Sequence, residues 1–379
     1  MAGKKKLCFV STVEFSVDVF LFNHLKELSK FYKITVITNR KNKSSSTKIS
    51  KDINVINVNF SRKINLLNDL ICLFQLIGIF LKTRFDVVTT ITPKAGLLGM
   101  LASFLTFIPI RVHCFTGQVW SVKKGLKRIF FKLFDKLINY FSTHNIVDSK
   151  SQFSFLINEK VISKNNSFVF GNGSICGVDF LNFRPNKKAR SALRKKFKIP
   201  ETAFIFLFVG RLNKDKGVYD LIDAFKKAKL ESAFLMLVGP DEENVSIKFQ
   251  HCKNIFMHDF STSPQNFMAS CDLLCLPSYR EGFGNVVIEA AAVGVPSMIT
   301  DIYGLRDSVI PNKTGIVHNV GDINQMVEIL KFMCKNKFLV KKLGKAARIR
   351  AINKFDANLV TKHWLSFYKT EISKFIKIL

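Results

Sequence analysis

Carboxylates are scarce in this chain: 28 Asp and Glu stand against 58 Lys and Arg, a formal net charge of +30. That imbalance calls for an anionic partner, whether a phosphate-rich substrate, an anionic membrane surface or a nucleic acid, and carries no information on the fold. Paired metal-ligand cysteines are missing too. Cys271 and Cys275 lack both the two-residue spacing and the second ligand pair of a zinc site. Most of the eight cysteines, Cys8, Cys114 and Cys275 among them, sit in apolar runs, as buried reduced thiols of a cytoplasmic protein would. The start, Met1 to Lys6, is basic but runs directly into Leu7–Val10 without the apolar stretch and small-residue cleavage site of a secretory signal, so no export is expected. The apolar segment Ile64 to Leu81 is interrupted by Asn65, Asn68, Asp69 and Gln75, which makes it a buried or interfacial helix rather than a spanning one. Low complexity is confined to Ser44–Ser46, a loop by composition.

The apolar content is high. At 379 residues and 47% hydrophobic, the chain has enough material for two folded domains. Short apolar runs alternate with helical patterns throughout. Strands are predicted at Leu7–Ser11, Ile34–Thr38, Asn54–Val58, Val87–Thr90, Ile110–Phe115, Asn145–Val147 and Phe168–Phe170. The second half repeats the habit at Phe204–Val209, Phe234–Val238, Asn254–Met257, Leu273–Leu276 and Ser297–Thr300. Helical patterns include Val19–Ser29, Leu126–Phe141, Val218–Lys229, Ser263–Ser270, Asn285–Val293 and Ile323–Lys335. The alternation predicts α/β architecture: two doubly wound, Rossmann-like domains with parallel sheets, facing a central cleft lined by strand carboxyl ends. Residues 1–182 form the first domain and 183–356 the second, and the basic, Pro-containing stretch Asn182–Pro200 is a candidate linker.

The segment from Leu276 reads Leu-Pro-Ser-Tyr-Arg-Glu-Gly-Phe-Gly-Asn, then Val-Val-Ile-Glu-Ala-Ala-Ala-Val-Gly to Gly294. A strand ends at Pro277, a Gly-X-Gly turn follows, and a helix begins near Asn285, with Gly294 placed to stop it and Pro296 beyond. Glycines let the backbone approach a ligand, and free amides at a helix start suit an anion such as a diphosphate. Glu281 and Glu289 suit sugar hydroxyls. On local spacing alone a tight strand-to-helix turn with two solvated glutamates fits equally well. Upstream, strand Phe204–Val209 ends in Gly210-Arg211-Leu212-Asn213-Lys214-Asp215-Lys216-Gly217. Two cations five positions apart can neutralise a diphosphate leaving group, although an exposed basic loop is the plainer reading in so lysine-rich a chain.

Taken together, in this order, the two segments resemble the E-x7-E and G-R-x4-K elements of retaining glycosyltransferases with two Rossmann-like domains, the GT-B type usually called family 4. The resemblance implies that Glu281 lies against the donor sugar and Glu289 holds the ribose. It also implies that Arg211, Lys216 and amides near Asn285 and Val286 meet the phosphates, and that Gly282, Phe283 and Gly284, the glycine-rich turn, bind the donor with them. No Asp-X-Asp triplet occurs in the chain. Single-domain glycosyltransferases commonly use such a triplet to hold a metal, so metal-independent chemistry without a cofactor is expected here.

In the first half, Ile110 to Trp120 reads as a strand running into a loop. The family often has a histidine near this place, close to the donor sugar and the attacking hydroxyl, and His113 is the candidate. Thr116, Gly117 and Gln118 form a polar loop where an acceptor sugar could bind. Thr116-Gly117-Gln118-Val119-Trp120 is similar to members acting on lipid-linked O-antigen or capsule precursors. Two departures stand out. Ser11 to Ser16 has no glycine where many members carry a Gly-Gly pair, and the Asn-Gly-Val-Asp hinge is stretched, with Ser174 to Gly177 between Asn172-Gly173 and Val178-Asp179. Both hinge pieces are read as structural. Val122 to Phe141 interleaves Lys123, Lys124, Lys127, Arg128, Lys132 and Lys136 with Leu126, Ile129, Phe130, Phe131, Leu133 and Phe134. This is the pattern of a basic amphipathic helix at a membrane surface, or of an ordinary half-buried helix with a charged outer face. In the family's fold the last helix, here residues 357–379 with Trp364, Phe367 and Tyr368, packs back onto the first domain.

The expectation is a hexosyltransferase moving a hexose or N-acetylhexosamine from a UDP-sugar to a lipid-linked, polyprenyl-diphosphate saccharide. It would work peripherally on the cytoplasmic face of an anionic inner membrane. A UDP-sugar 2-epimerase of the same fold is the second reading. A basic nucleic-acid-binding protein is the third, and the lack of any recognition module speaks against a nucleic-acid partner.

Overall fold

A computed structural model describes residues 4–40, 53–61 and 63–378. The Ser44–Ser46 loop lies outside them. The chain divides into two compact units, residues 1–176 with 357–379, and residues 177–356.

The first unit is built on seven parallel strands in the order β3-β2-β1-β4-β5-β6-β7. They are β1 (Lys6–Ser11), β2 (Lys33–Thr38), β3 (Asn54–Asn57), β4 (Val87–Ile91), β5 (Ile110–Phe115), β6 (His144–Val147) and β7 (Ser167–Phe168). The helices are α1 (Glu14–Phe20), α2 (Phe22–Leu28), α3 (Leu66–Thr83), α4 (Pro93–Leu105), α5 (Gly125–Phe141) and α6 (Lys150–Asn158). Central strands such as β4, Val-Val-Thr-Thr-Ile, are buried along their whole length because helices cover both faces. The pleat sends alternate residues to opposite cores. Leu7 and Phe9 of β1 join one core and Cys8 and Val10 the other. The helix predicted over Val19–Ser29 starts earlier and is broken at Leu21, a buried residue that stands at the end of α1, its backbone N–H donating to the Val17 carbonyl, and at the start of α2 without a side-chain cap. Asn65 caps α3 and Ser149 caps α6, each accepting an amide three residues on.

The second unit has six parallel strands in the order β10-β9-β8-β11-β12-β13. Its elements run α7 (Lys187–Lys196), β8 (Phe204–Val209), α8 (Val218–Ala228), β9 (Ala233–Val238), β10 (Ile255–His258), α9 (Pro264–Ser270), β11 (Leu273–Leu276), α10 (Asn285–Val293), β12 (Ser297–Thr300), α11 (Leu305–Ser308), β13 (Gly315–His318), α12 (Ile323–Lys335) and α13 (Lys337–Phe355). Edge strand β13, four residues and only half-buried in its middle, was not anticipated. Gly294 ends α10 in the left-handed region at φ 90°, as the Gly-X-Pro punctuation predicts.

The candidate linker is a correction. Residues 187–196 form a helix stapled to the second core rather than a free connection. Arg190 donates to the carbonyls of Ser270 and Cys271 and to Asp272. Fully buried Arg194 donates to the carbonyls of Pro200, Glu201 and Ala203 and to Asp272. The chain passes into the second unit at Gly177, ahead of the expected break, because the Val178 amide is tied to the Phe355 carbonyl at 2.7 Å. The stretched hinge therefore has one half in each unit. Ser174 and Ile175 bond to Asp148 of the first, and Val178 bonds within the second.

The final helix, α14 (Ala357–Ile378), returns to the first unit. Trp364 and Tyr368 stack at 5.6 Å and meet Phe9 edge-on, and the Trp364 indole donates to the Ile175 carbonyl. His24 of α2 bonds Thr361. All eight cysteines are free thiols, and burial pushes those of Cys8, Cys114, Cys271 and Cys275 upward.

Candidate active site

The strand order of the second sheet reverses between β8 and β11, the position where doubly wound sheets bind ligands at strand carboxyl ends. Both singled-out segments start there. Three successive residues after β11 are bound to the loop after β8. The Tyr279 amide donates to the Asp215 carbonyl at 2.9 Å. The Arg280 guanidinium donates twice to the Asp215 carboxylate at 3.0 and 3.2 Å. The Lys216 ammonium meets Glu281 Oε1 at 2.5 Å, and Ser278 Oγ donates to that same oxygen at 3.0 Å. Tyr279 adds a hydroxyl bond to Asp220 of α8 at 2.6 Å, which pushes the phenol up to about 12. Glycine is required where this assembly is tightest. Gly217 stands at φ 68° with space for no Cβ, which would fall 2.0 Å from the Pro277 carbonyl oxygen. Gly304, at φ 85°, passes so close that a Cβ would lie 2.6 Å from the Glu281 carbonyl oxygen.

Arg211 is turned outward on Glu242 at 2.9 Å, where Asn213 also donates. Asn213 caps the following 3-10 turn by accepting from the Lys216 amide, which fixes that lysine's backbone. Gly284, at φ 79°, starts α10 without a side-chain cap of its own, and the Val287 amide donates to the Gly284 carbonyl at 2.9 Å, so Asn285 and Val286 supply the amides at the very start of the helix. Phe283 differs from the expectation of a ligand contact. Its ring is buried against Phe355 at 5.2 Å beside Ile288 and Val178, so only its backbone can face a ligand. Gly282 and Gly284 are buried turn residues. Glu289 sits half-buried in the second turn of α10 with no hydrogen bond or ion pair among the described residues. Desolvation without a partner pushes its carboxyl up to about 7.

In the first unit, the Thr116-Gly117-Gln118 loop follows β5 directly, with Gly117 at φ 113° and Thr116 half-exposed. Gln118 is buried; its Oε1 accepts from Gln152 at 3.1 Å, while its Nε2 has no partner among the described residues. His113 departs from the expectation of a group beside the acceptor. It is only 2% exposed, bonds Thr90 Oγ1 at 2.7 Å, and lies where a Cβ on Gly96 of α4 would touch its ring. Burial drives its pKa down to about 3, so it is a neutral core imidazole. Near the start of α5, Trp120 donates to buried Asp135 at 2.7 Å, and burial raises that carboxyl to about 7. Arg128 and Lys132 lie over the Trp120 ring and pair with Glu159 at 2.7 and 2.6 Å. Part of the basic character of α5 is therefore structural.

Comparison with known proteins decides the family. Residues 189–350 match the family described as glycosyl transferases group 1, and residues 6–143 match glycosyl transferase 4-like. The capsular polysaccharide biosynthesis glycosyltransferase CapM of Staphylococcus aureus is 31% identical over 318 residues, 82% of this chain and 83% of that protein. The chain belongs to the group 1 glycosyltransferases. The Escherichia coli UDP-Gal:alpha-D-GlcNAc-diphosphoundecaprenol alpha-1,3-galactosyltransferase is 24% identical over 306 residues, 78% of each chain. Among solved structures, Anabaena Alr3699/HepE in complex with UDP-glucose superposes with a TM-score of 0.79 at 18% identity, covering 99% of this chain and 100% of that one. The GT-B fold and hexosyltransferase activity follow.

In this glycosyltransferase the sequence motifs named Glu281, Lys216 and Arg211 but not the residues that hold them. Asp215, Asp220, Tyr279 and Ser278 are adjacent to or inside those motifs, and their roles depend on which way each side chain turns. Gly304, some twenty residues downstream, had no sequence signal.

Proposed function

We propose that this glycosyltransferase moves a hexosyl or N-acetylhexosaminyl group from a UDP-sugar, with retention at the anomeric carbon and without a metal ion. The acceptor is a polyprenyl-diphosphate-linked saccharide of cell-surface polysaccharide assembly, met at the cytoplasmic face of an anionic membrane. The observation that carries this is the bonded triplet 279–281, which holds Glu281 and Lys216 together at the β8–β11 reversal.

In this reading the bond between the anomeric carbon and the diphosphate oxygen breaks, an acceptor hydroxyl oxygen bonds to that carbon on the same face, and the hydroxyl proton passes to the departing UDP. Lys216, released from Glu281, and Arg211, released from Glu242, stabilise the charge on the departing UDP together with the amides of Asn285 and Val286. Glu281 then accepts from donor-sugar hydroxyls. Glu289, unpartnered in the second turn of α10, accepts from the ribose hydroxyls. Thr116, Gly117 and Gln118 contact the acceptor sugar. His113 supports that loop from within the core and receives no chemical role. The E. coli relative, whose name specifies UDP-Gal and a diphosphoundecaprenol-linked sugar, supports the choice of donor and acceptor class.

Purified enzyme, incubated with membrane lipid extract and a panel of UDP-sugars in the presence of EDTA, is expected to release UDP only when acceptor is supplied. Glu281→Ala should abolish that release. Failure with every donor, or acceptor-independent interconversion of the sugar as an epimerase would show, sinks the reading.

A further inference from the structure

Helix α3 is apolar on both sides. Cys72, Leu76 and Phe80 pack into the core, while Leu67, Leu70, Ile71, Phe74 and Leu81 stand exposed on the opposite stripe, Phe74 by 69%. It is long and apolar enough to cross a membrane. Its inner stripe is committed to the protein core, which excludes a spanning orientation and leaves it along a surface. Beside it, α4 packs between α3 and α5 and ends in exposed Phe104, Leu105 and Phe107. The outward stripe of α5 carries Leu126, Ile129, Phe130 and Leu133, all at least half exposed. Isolated exposed apolar residues are ordinary, but three neighbouring helices sharing such a surface are not.

Charge identifies the occupant. Residues 61–141 hold twelve Lys and Arg against three carboxylates, Asp69, Asp86 and Asp135. None of the three is available to an outside partner. Asp69 is paired to Lys94, Asp86 to Lys5, and Asp135 is buried on Trp120. Lys82, Lys124, Lys127 and Lys136 are exposed on α3 and α5. A second copy of this chain would set like charge against like charge across such a face, whereas an anionic bilayer satisfies both its apolar stripes and its lysines.

We propose that the exposed stripes of α3 and α5, with the tip of α4, form one docking face for an anionic lipid bilayer, with α3 lying in the interface parallel to the membrane plane. This rests on the reading of a lipid-linked acceptor and adds the apolar anchor to it. The basic helix α5 alone would give a salt-sensitive contact, whereas α3 supplies apolar insertion that salt does not screen.

The test is co-sedimentation of the full chain with vesicles of phosphatidylcholine alone and with 30% phosphatidylglycerol (a composition of roughly physiological charge). Wild type should bind the anionic vesicles, and Leu70→Glu/Phe74→Glu should bind them at least about tenfold more weakly. Both positions are exposed, so circular dichroism and UDP binding should be unchanged. Lys124→Glu/Lys127→Glu should lower binding mainly at low salt. Wild type that ignores anionic vesicles, or an α3 variant that binds like wild type, overturns the proposal. So does an α3 variant that merely dissociates a homodimer. Vesicle binding without transfer from any UDP-sugar would leave the docking face standing and remove the functional reading instead.

Discussion

Replacing Glu289 with Gln should stabilise the second unit, and only above a definite pH. The carboxyl ordinarily titrates near 4.5 and is held at about 7 in the folded chain by desolvation. Below pH 4.5 both folded and unfolded forms carry the proton, and the residue costs nothing. Between pH 4.5 and 7 the unfolded form loses its proton first, so the folded state is progressively penalised, and above 7 the penalty is complete. A rise of this size corresponds to roughly 3 kcal/mol as an upper bound, since Glu289 keeps part of its surface in water. For a domain of this length that equals at most roughly 6–12 °C in melting temperature. Thermal melts of wild type and Glu289→Gln, followed by circular dichroism from pH 5 to 8, should diverge as pH rises. Both tryptophans, Trp120 and Trp364, lie in the first unit, so tryptophan fluorescence provides an internal control that the substitution should leave alone. If Glu289 takes the ribose hydroxyls, UDP should also bind wild type more tightly at pH 8 than at pH 6, and the variant equally at both. A constant offset between the two melting curves at pH 5 and pH 8 would refute the reasoning.

Four further outcomes are expected. Lys216→Met should lower kcat by about 10²- to 10³-fold, the scale for losing one preorganised donor to a developing anion, in a UDP-release assay. Arg194→Met leaves the carbonyls of Pro200, Glu201 and Ala203 without their shared donor, while Asp272 keeps Arg190 and the Ile205 amide, and should cost on the order of 3 kcal/mol in urea denaturation followed by circular dichroism. Gly304→Ala, strained at φ 85° against the Glu281 carbonyl, should reduce UDP-sugar turnover while the first unit's fluorescence transition stays in place. His113, with a pKa near 3, should show no imidazole titration by NMR between pH 5 and 8, and the pH profile of transfer should carry no inflection from it.

Strands in this chain were legible because parallel sheets buried on both faces need unbroken apolar runs, and Phe204–Val209 or Leu273–Leu276 can be little else. β13 was not, since a four-residue edge strand, Gly-Ile-Val-His, half-buried in its middle, has no such run. The basic stretch around Arg190 and Arg194 read as a linker because composition reports solvent affinity, whereas these two arginines find six bonded partners among carbonyls and Asp272. In the site, residue types disclosed the cations and carboxylates. What they could not disclose is direction: Phe283 and His113 turn into their cores, and Asp215 turns toward Arg280. Those choices are settled by packing between segments far apart in the chain.

The return of α14 to the first unit has a consequence for synthesis. Trp364 and Tyr368 close the core around Phe9, yet they are translated after the whole of residues 177–356. Domains generally fold in the order they leave the ribosome. Here the sheet that is made first waits for its last covering helix: α1 and α2 pack into the same core, but the part under Trp364 and Tyr368 stays open until the second unit has been made. The nascent chain therefore carries an open apolar strip while residues 177–356 are being made, and that strip is where a holding chaperone would act.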